Sequence, residues 1–236
     1  MDLFSDIIQA VQDDLTIGDE SAFLDVNIVK RAINRAYRRA AGMFRWPETD
    51  DAKKTSTEIN QEYYEYPTTW RPNSIWRVEV DDVRYGEDPD GSPLKFKDYL
   101  EWKEDNPNST EKKWANQWRR YFINPIPTTA GDNNIVVWGQ RVVDELSADG
   151  DVTIFSYSMP ECNDAIAKEA VGILKSKGEE DRGSQFASFE AKAILSVAWG
   201  KVKQEMAKYE KIQPQFYVPD YYGDNKQEIK NKIGDF

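Results

Sequence analysis

The spacing of the apolar residues changes twice along the chain, and this change limits the folds that it can adopt. Helical spacing near the start is carried by Leu3, Ile7, Ile8, Val11 and Leu15. Between residues 51 and 155 apolar and polar residues alternate instead, as they do in half-buried strands, and helical spacing then returns. The pattern predicts an α+β fold that is mainly α, a helical bundle with a β-rich insertion.

This change of spacing also predicts the domain boundaries. Residues 1–50 and 156–212 are expected to form the bundle together, and residues 51–155 the β-rich insertion. Residues 213–236 are expected to be an extended C-terminal tail, because Pro214, Pro219 and Gly223 break helices there.

The bundle helices carry terminal signals. Asp25 is a plausible N-cap for a second helix that Pro47 stops. In "SMPE", Ser158 is expected to cap a later helix, with Pro160 in its first turn and Glu161 reaching back to complete a capping box.

The last helix, expected from about Ser184 to Glu210, carries two apolar stripes. The first consists of Leu195, Trp199, Val202, Met206 and Tyr209, and the second of Phe186, Phe189, Ala193, Val197 and Gly200. A surface helix of a monomer usually needs one apolar stripe. Two stripes indicate either a central position in the bundle or a second contact with another subunit.

The insertion contains four segments with strand character and one short helix. "TEINQEYYEYP" and "SIWRVEVDDVRY" are expected strands, and "FKDYLEWKEDNP" is a short helical turn. "WRRYFINPIP" and "NIVVWGQRVV" are predicted to be a strand–loop–strand pair, with Pro125 and Pro127 at a sheet edge because neither can donate a ladder hydrogen bond.

Composition argues against most catalytic chemistry. The chain has no histidine and a single cysteine, Cys162, so it lacks the commonest general base, the commonest zinc ligand and any Cys pair. It also lacks a Gly-rich phosphate-binding motif. We therefore expect no cofactor and no metal, and not an enzyme.

Clusters of carboxylates leave one enzymatic alternative. They are Asp81-Asp82, Glu87-Asp88-Asp90, Glu101-Glu104-Asp105 and Asp144-Glu145. Paired acids near Trp are typical of glycoside hydrolases, so a carbohydrate-active protein is the alternative from a different class. The clusters lie in polar turns, however, where solvated loops are the simpler interpretation.

One helix concentrates positive charge in a chain whose formal charge is −11. We name Lys30, Arg31, Arg35, Arg38 and Arg39 the basic stripe, since helical spacing sets the four Arg along one side. The stripe could bind DNA phosphates or an acidic partner surface, form ion pairs between subunits, or be a solvated face. A module that binds nucleic acid through it is a further alternative.

The tail is rich in aromatic side chains for a segment that cannot form its own core. They are Phe216, Tyr217, Tyr221, Tyr222 and Phe236. Such rings are costly in water and act as anchors when a partner's pocket covers them. These rings therefore need a covering surface that the tail itself does not supply.

Several motifs together resemble the head-to-tail adaptor, or head-completion, family of tailed bacteriophages. "VKRAINRAYRRAAGMFRWPE" resembles its second helix, and "YEYPTTWRPNSIWRVEVDD" its strand entry. "PLKFKDYLEW" resembles its short helical turn, and "YFINPIPTTAGDNNIVVWGQRV" its proline-ended hairpin. The resemblance covers about residues 3–212.

The resemblance implies a structural virion protein in the neck, between the capsid portal and the tail, assembled in the host cytoplasm. Its expected partners are other copies in a ring of twelve, the portal protein through the tail segment, and tail nozzle, tube or fibre proteins. Double-stranded DNA would pass without sequence specificity. A tail-tube or nozzle protein of the same particle is the closest alternative.

The sequence predicts no association with a membrane. It contains no run approaching the ~18–20 apolar residues of a spanning helix. Asp2 and Asp6 stand where a secretory signal would carry basic residues, so no export signal is expected.

Overall fold

The computed structural model describes residues 3–16, 25–86, 92–176 and 181–212, and it gives side-chain positions for all of these except 16, 181, 182 and 208–212. The chain divides into two compact units, which we describe separately. Unit 1 is built from Met1–Thr49 and Val142–Ala207, and unit 2 is built on Asp50–Arg141. Helices and two sheets confirm the predicted mixed fold. The tail, 213–236, lies outside the described residues.

The elements follow one another along the described chain in a helix–sheet–helix order. They are α1 (Phe4–Thr16), α2 (Val26–Met43), a 3-10 turn (Pro47–Thr49), β1 (Asp50–Thr57), β2 (Tyr63–Glu65), β3 (Arg77–Val80), β4 (Val83–Tyr85), β5 (Leu94–Lys95), α3 (Phe96–Asp105), β6 (Lys113–Gln117), β7 (Arg120–Asn124), β8 (Gly131–Gln140), α4 (Glu161–Lys175) and α5 (Asp181–Ile212).

Unit 1 packs α1, α2, α4 and α5 around an aromatic centre at Trp46. This side chain is fully buried, and its ring meets Phe155 edge-on at 5.0 Å and Trp199 edge-on at 5.5 Å between centroids. Its indole N–H donates to the Ala40 carbonyl oxygen at 3.0 Å, so the one polar atom of the ring is satisfied. Trp46, shortly after the end of α2, therefore contacts side chains from the second of the two sequence pieces that build unit 1.

The segment 142–155 belongs to unit 1, whereas the sequence analysis placed it in the insertion. Its Val143, Leu146 and Phe155 are buried in the helical core. The backbone carbonyl of Asp151 also accepts the Phe4 N–H at 2.8 Å, which satisfies a free donor at the start of α1. The burial of its apolar side chains thus assigns this segment to unit 1, although its sequence has neither helical nor strand spacing.

The ends of α2 and α4 are set by different devices. The Asp25 carboxylate accepts the Asn27 N–H at 2.9 Å, so this N-cap is confirmed. The predicted capping box before α4 is wrong, because Pro160 is the N-cap and makes no side-chain cap bond. The Ser158 hydroxyl instead donates to the Glu48 carboxylate at 2.6 Å.

Unit 2 contains two four-stranded sheets, in the orders β1-β8-β3-β4 and β2-β7-β6-β5. The pairs are antiparallel except β5–β6, which is parallel. Helix α3 contributes Tyr99, which is fully buried, and Phe96, which meets the Phe122 ring of β7 at 4.8 Å. The short helix predicted from "FKDYLEWKEDNP" is thus confirmed as α3.

Strands β7 and β8 lie in different sheets, so the predicted strand–loop–strand pair is wrong as a pair. β7 forms its hairpin with β6, where Gln117 faces Arg120. β8 pairs with β1 and β3. The connection contains Pro125 and Pro127, which have no N–H to continue a ladder, and the Pro127 carbonyl accepts the Asn60 N–H at 2.9 Å. The chain leaves one sheet at these prolines.

Two adjacent acids form the turn between β3 and β4. Asp81 and Asp82 have φ angles of 52° and 61°, and Val80 faces Val83 across the turn. Two successive positive φ angles define a type I′ turn, in which Asp is tolerated because its side chain can bond locally. The Asn134 amide donates to the Asp81 carboxylate at 3.0 Å. This carboxylate pair is therefore explained by turn geometry.

The aromatic centre of unit 1 yields a stability prediction. Trp46→Ala should lower the free energy of unfolding by about 3–5 kcal/mol, because it leaves a large cavity among rings held by both halves of the unit. Urea denaturation followed by far-UV circular dichroism measures this. Trp118→Ala is the control, since Trp118 is 67% exposed in unit 2 and should change stability by less than about 0.5 kcal/mol. Equal effects of the two variants would contradict the assignment.

Candidate interaction surface

The basic stripe lies along the outer side of α2. Helix α2 turns its apolar side, including Val29, Ile33, Ala36 and Tyr37, into the core of unit 1. The opposite side lines a groove of about 710 Å³. Its lining residues are Asn27, Lys30, Arg31, Asn34, Arg35, Arg38, Arg39 and Glu145. The structure therefore brings all five predicted residues of the stripe together on one surface.

Three of the five cations are paired within the same subunit. Lys30 lies 2.9 Å from the Asp149 carboxylate, and Arg39 lies 2.5 Å from the Glu169 carboxylate of α4. Arg38 pairs with Glu145. The segment 142–155 thus supplies two of the three acids, which sequence spacing could not reveal because they are more than a hundred positions away.

The positive charge that remains is centred on Arg31 and Arg35. Both side chains are exposed, and neither forms an ion pair with a carboxylate in the part of the chain that the structure describes. Arg31 Nε donates to the Asn27 carbonyl oxygen at 3.2 Å, a bond within α2 that leaves its positive charge without a carboxylate among the described residues. Exposed ion pairs contribute only ~0–1 kcal/mol, so a partner's carboxylates could replace those of the subunit. The surface suits ion pairing with a neighbour, and its role stays a prediction.

Asn34 is the structural residue of this surface that the sequence analysis missed. Its side-chain amide donates to the Leu146 carbonyl at 2.8 Å, and its side-chain oxygen accepts the Leu146 N–H at 2.8 Å. These buried bonds hold the segment 142–155 against α2. A lone Asn on a basic helix carries no sequence signal for such a distant backbone partner.

Hydrogen bonds shift two carboxyl pKa values near these helices. The backbone N–H groups of Ser147 and Ala148 hold the pKa of Asp151 below its usual value, since both donate to the carboxylate. The Lys201 ammonium, 2.7 Å away, lowers the pKa of Glu161 and ties α5 to the start of α4. Both groups favour the structure in their charged form.

Helix α5 exposes one of its two apolar stripes. In the first, Leu195 is buried and Trp199, Val202 and Met206 are half-buried, whereas the side chain of Tyr209 lies outside the described ones. We name Phe186, Phe189, Ala193, Val197 and Gly200 the outer stripe. Its Phe186, Phe189 and Val197 are 65%, 70% and 63% exposed. Within unit 1 the helix is therefore not enclosed on all sides, and the alternative of a fully central position is wrong.

An apolar groove lies on another side of unit 1, between α2, α4 and α5. It has a volume of about 620 Å³. We define this apolar groove by its lining residues, Ala36, Arg39, Ala40, Gly42, Met43, Ala165, Glu169, Ser188, Ala191, Lys192 and Leu195. Small side chains dominate the lining, and charged ones stand among them only at Arg39, Glu169 and Lys192.

The carboxylate clusters are dispersed over unrelated positions. One forms the β3–β4 turn, and Glu145 of another pairs with Arg38. Glu101 of α3 is exposed and lies 3.4 Å from Lys97, whereas Glu87, Asp88 and Asp90 lie outside the described residues. Among the described residues, no group of acids and cysteine could hold a metal ion. No pair emerges with the geometry of a catalytic dyad in the described part.

Cys162 is buried, and burial raises the pKa of its thiol to about 12. No helix in the described ranges is both long and apolar enough to cross a bilayer. The predicted docking residues Phe216, Tyr217, Tyr221, Tyr222 and Phe236 lie outside the described residues.

The family model of the SU10 adaptor protein matches residues 2–207, which include almost all of both units, and the chain belongs to this family. The protein therefore has the structural role of a phage adaptor. No curated protein matches the chain.

The Asp151 carboxylate yields a prediction for pH dependence. Its folded-state pKa is below its unfolded value, so its contribution is present above about pH 4 and is lost as the pH falls through the folded value. Asp151→Asn should therefore be less stable than wild type near neutral pH, and the difference should shrink below about pH 4. Urea midpoints of both proteins across this range measure it. A difference that is independent of pH would contradict the argument.

Proposed function

We propose that the chain forms a ring of twelve copies beneath the portal, in the neck of the virion. The ring continues the DNA channel and gives the tail its attachment platform. The family match over residues 2–207 carries this proposal, because it includes both the helical unit and the sheet unit and is not limited to one motif. The other copies, the portal and tail proteins are its proposed partners.

The charge of the chain suits a conduit for DNA. Twelve copies carry 12 × −11 = −132 formal charges, which oppose tight binding of DNA phosphates to the channel wall. The basic stripe does not reverse this, since Lys30, Arg38 and Arg39 are already paired with carboxylates of the same subunit. DNA would therefore pass without sequence specificity, as a polymer that must slide requires.

Residues 213–236 are proposed as the arm that docks on the portal. Phe216, Tyr217, Tyr221, Tyr222 and Phe236 are the anchoring side chains, each able to bury about 150–250 Å². The arm carries three Lys and four Asp or Glu, a formal charge of −1, so apolar anchoring should outweigh net charge. The arm begins directly after α5, and an extended chain of this length spans up to about 80 Å at ~3.3 Å per residue, which is enough to reach another subunit.

Imaging of the intact particle tests the proposed position. Density for both units should appear twelve times in direct contact with the portal, because an adaptor bridges portal and tail. A ring of this chain separated from the portal by another protein would identify a tail-tube or nozzle protein instead. A different copy number would contradict the proposed stoichiometry and leave the adaptor class untouched.

Deletion of residues 213–236 tests the arm. The truncated protein should keep the urea midpoint of the full chain, because the aromatic residues of this segment have too few apolar neighbours in sequence to form a core, and should lose stable binding to purified portal. Light scattering and co-sedimentation with portal measure binding. A matched variant with Phe216, Tyr217, Tyr221 and Tyr222 changed to Ser separates loss of anchors from loss of length. Undiminished binding by both variants would contradict the docking role.

A further inference from the structure

The outer stripe of α5 forms part of an uncharged line along an exposed helix face. Steps of three and four residues continue it from Gly200 through Gln204 to Ala207, and both of these residues are exposed. No position on this line is charged, although 31% of the chain consists of charged residues. At 1.5 Å per residue the line extends for about 30 Å. Contiguous exposed apolar surface of this kind marks an interaction site.

Gly200 shows that the line is not shaped by packing within its own subunit. A Cβ atom at Gly200 would meet nothing within 4 Å. Gly172 of α4 differs, since a Cβ atom there would lie 3.1 Å from the Ser184 carbonyl of α5 and close to the Ser188 hydroxyl. Gly172 is thus needed for internal packing, whereas Gly200 leaves room for an approaching surface at some cost in helix propensity.

The apolar groove is the candidate surface for the outer stripe to contact. Its four alanines are at most 3% exposed and form its floor, whereas Met43 is 40% exposed and offers apolar surface at its mouth. Its volume of about 620 Å³ exceeds that of one phenyl side chain several-fold. Most protein interiors leave few voids of this size, so an open apolar groove on a folded unit is available for a side chain from outside. The exposed Phe186 and Phe189 are the largest apolar groups on α5 that no neighbour in unit 1 covers.

The outer stripe cannot fill the apolar groove of its own subunit. At 3.6 residues per turn, the α5 residues that line the groove lie roughly 150° around the helix axis from the outer stripe. A stripe on one side and a groove on another can meet only between different copies. Such a contact is heterologous, and repeated around an axis it generates a closed ring.

We infer that the outer stripe of one copy packs against the apolar groove of the next copy, with Phe186 and Phe189 in contact with Met43 at its mouth. The occupant is a second copy of this chain. The inference rests on the proposed ring and names the surfaces through which its copies touch. The contact needs no ion pair between copies, because Arg39 is already paired with Glu169 and Glu190 with Lys168 in the same subunit.

Area and charge favour a second copy that associates weakly when free. Two Phe and one Val, each about two-thirds exposed, offer a few hundred Å², which is below the ~800 Å² per partner of a standard stable interface. A formal charge of −11 per copy opposes self-association at long range, so the contact surface should be free of charge, and the stripe is. Free protein is therefore mostly monomeric, and the portal template brings copies together.

Cross-linking of full-length protein on purified portal tests the contact. Cys162 is buried with a pKa raised to about 12, so it does not compete with introduced thiols. Phe189→Cys combined with Met43→Cys should give a ladder of covalent oligomers with a short bismaleimide. A mixture of the two single variants should stop at dimers. Tyr157→Cys with Met43→Cys is the matched control, since Tyr157 is 74% exposed in unit 1 outside both surfaces, and it should stay monomeric.

Polar substitution gives a second, independent measurement. Phe186→Gln with Phe189→Gln keeps good helix formers on the surface, so the subunit should fold with an unchanged urea midpoint. Its self-association, measured by sedimentation at rising concentration, should weaken by about tenfold or more, because aromatic anchors dominate interface affinity. Tyr157→Gln, the control, should associate as wild type does.

The outcomes separate this inference from the proposed function. A wild-type ring on the portal, with no ladder from the Cys pair and unaffected association of the Gln variant, overturns the stripe–groove contact alone. Failure of the wild-type protein to bind portal at all overturns the proposed function. A ladder of equal yield from the Tyr157→Cys control pair would show that crowding on the portal, and not the stripe–groove contact, produces the cross-links, and would overturn the inference.

Discussion

The antiparallel pairing of β1 with β8 is the constraint on which the arrangement of the chain depends. Asp50 faces Gln140 at one end of this ladder, so the residue that opens unit 2 lies beside one that closes it. Opposed residues in such a ladder stand only about 4.5–5.5 Å apart. Unit 1 is built from two pieces of sequence that residues 50–141 separate, and the β1–β8 pairing brings the end of residues 50–141 back beside their start. Closing the loop between residues 50 and 140 costs chain entropy. The hydrogen bonds of the β1–β8 ladder, which continues to Thr55 and Ile135, offset this cost within unit 2.

Much of the fold could be predicted from the sequence because most of its information is periodic. The N-cap Asp25, helix α3 and strands β2, β3, β4, β7 and β8 follow from local spacing and end signals, whereas β1, β5 and β6 lie outside the predicted strand segments. Two of the other errors depended on a distant partner, and the third concerns β7, whose partner β6 comes directly before it in the sequence. The segment 142–155 is held in unit 1 by hydrogen bonds between Leu146 and Asn34. Ser158 donates to Glu48 and does not cap α4. β7 pairs with β6 and not with β8. Local patterns carry no information about such choices.

The candidate surfaces show the same division. Helical spacing predicted that the basic stripe would lie on one side of α2, and the structure brings its five residues together. Sequence could not show that Asp149, Glu145 and Glu169 neutralise three of those cations, because the acids come from other segments. Similarly, two stripes on α5 were evident from spacing, but which one faced the core depended on the aromatic centre at Trp46 and Trp199. The helices of this adaptor could therefore be predicted from residue spacing, whereas its exposed surfaces became evident only from the packing of the folded chain.

Helix α5 is continuous from Asp181 to Ile212 and contains no proline. The same rod carries the outer stripe near its start and leads directly into residue 213 at its end. Its series of backbone hydrogen bonds is interrupted by no proline. If the proposed docking of residues 213–236 and the proposed contact of the outer stripe both hold, one helix connects the two attachment points of a subunit, and tension on the first would be transmitted to the second.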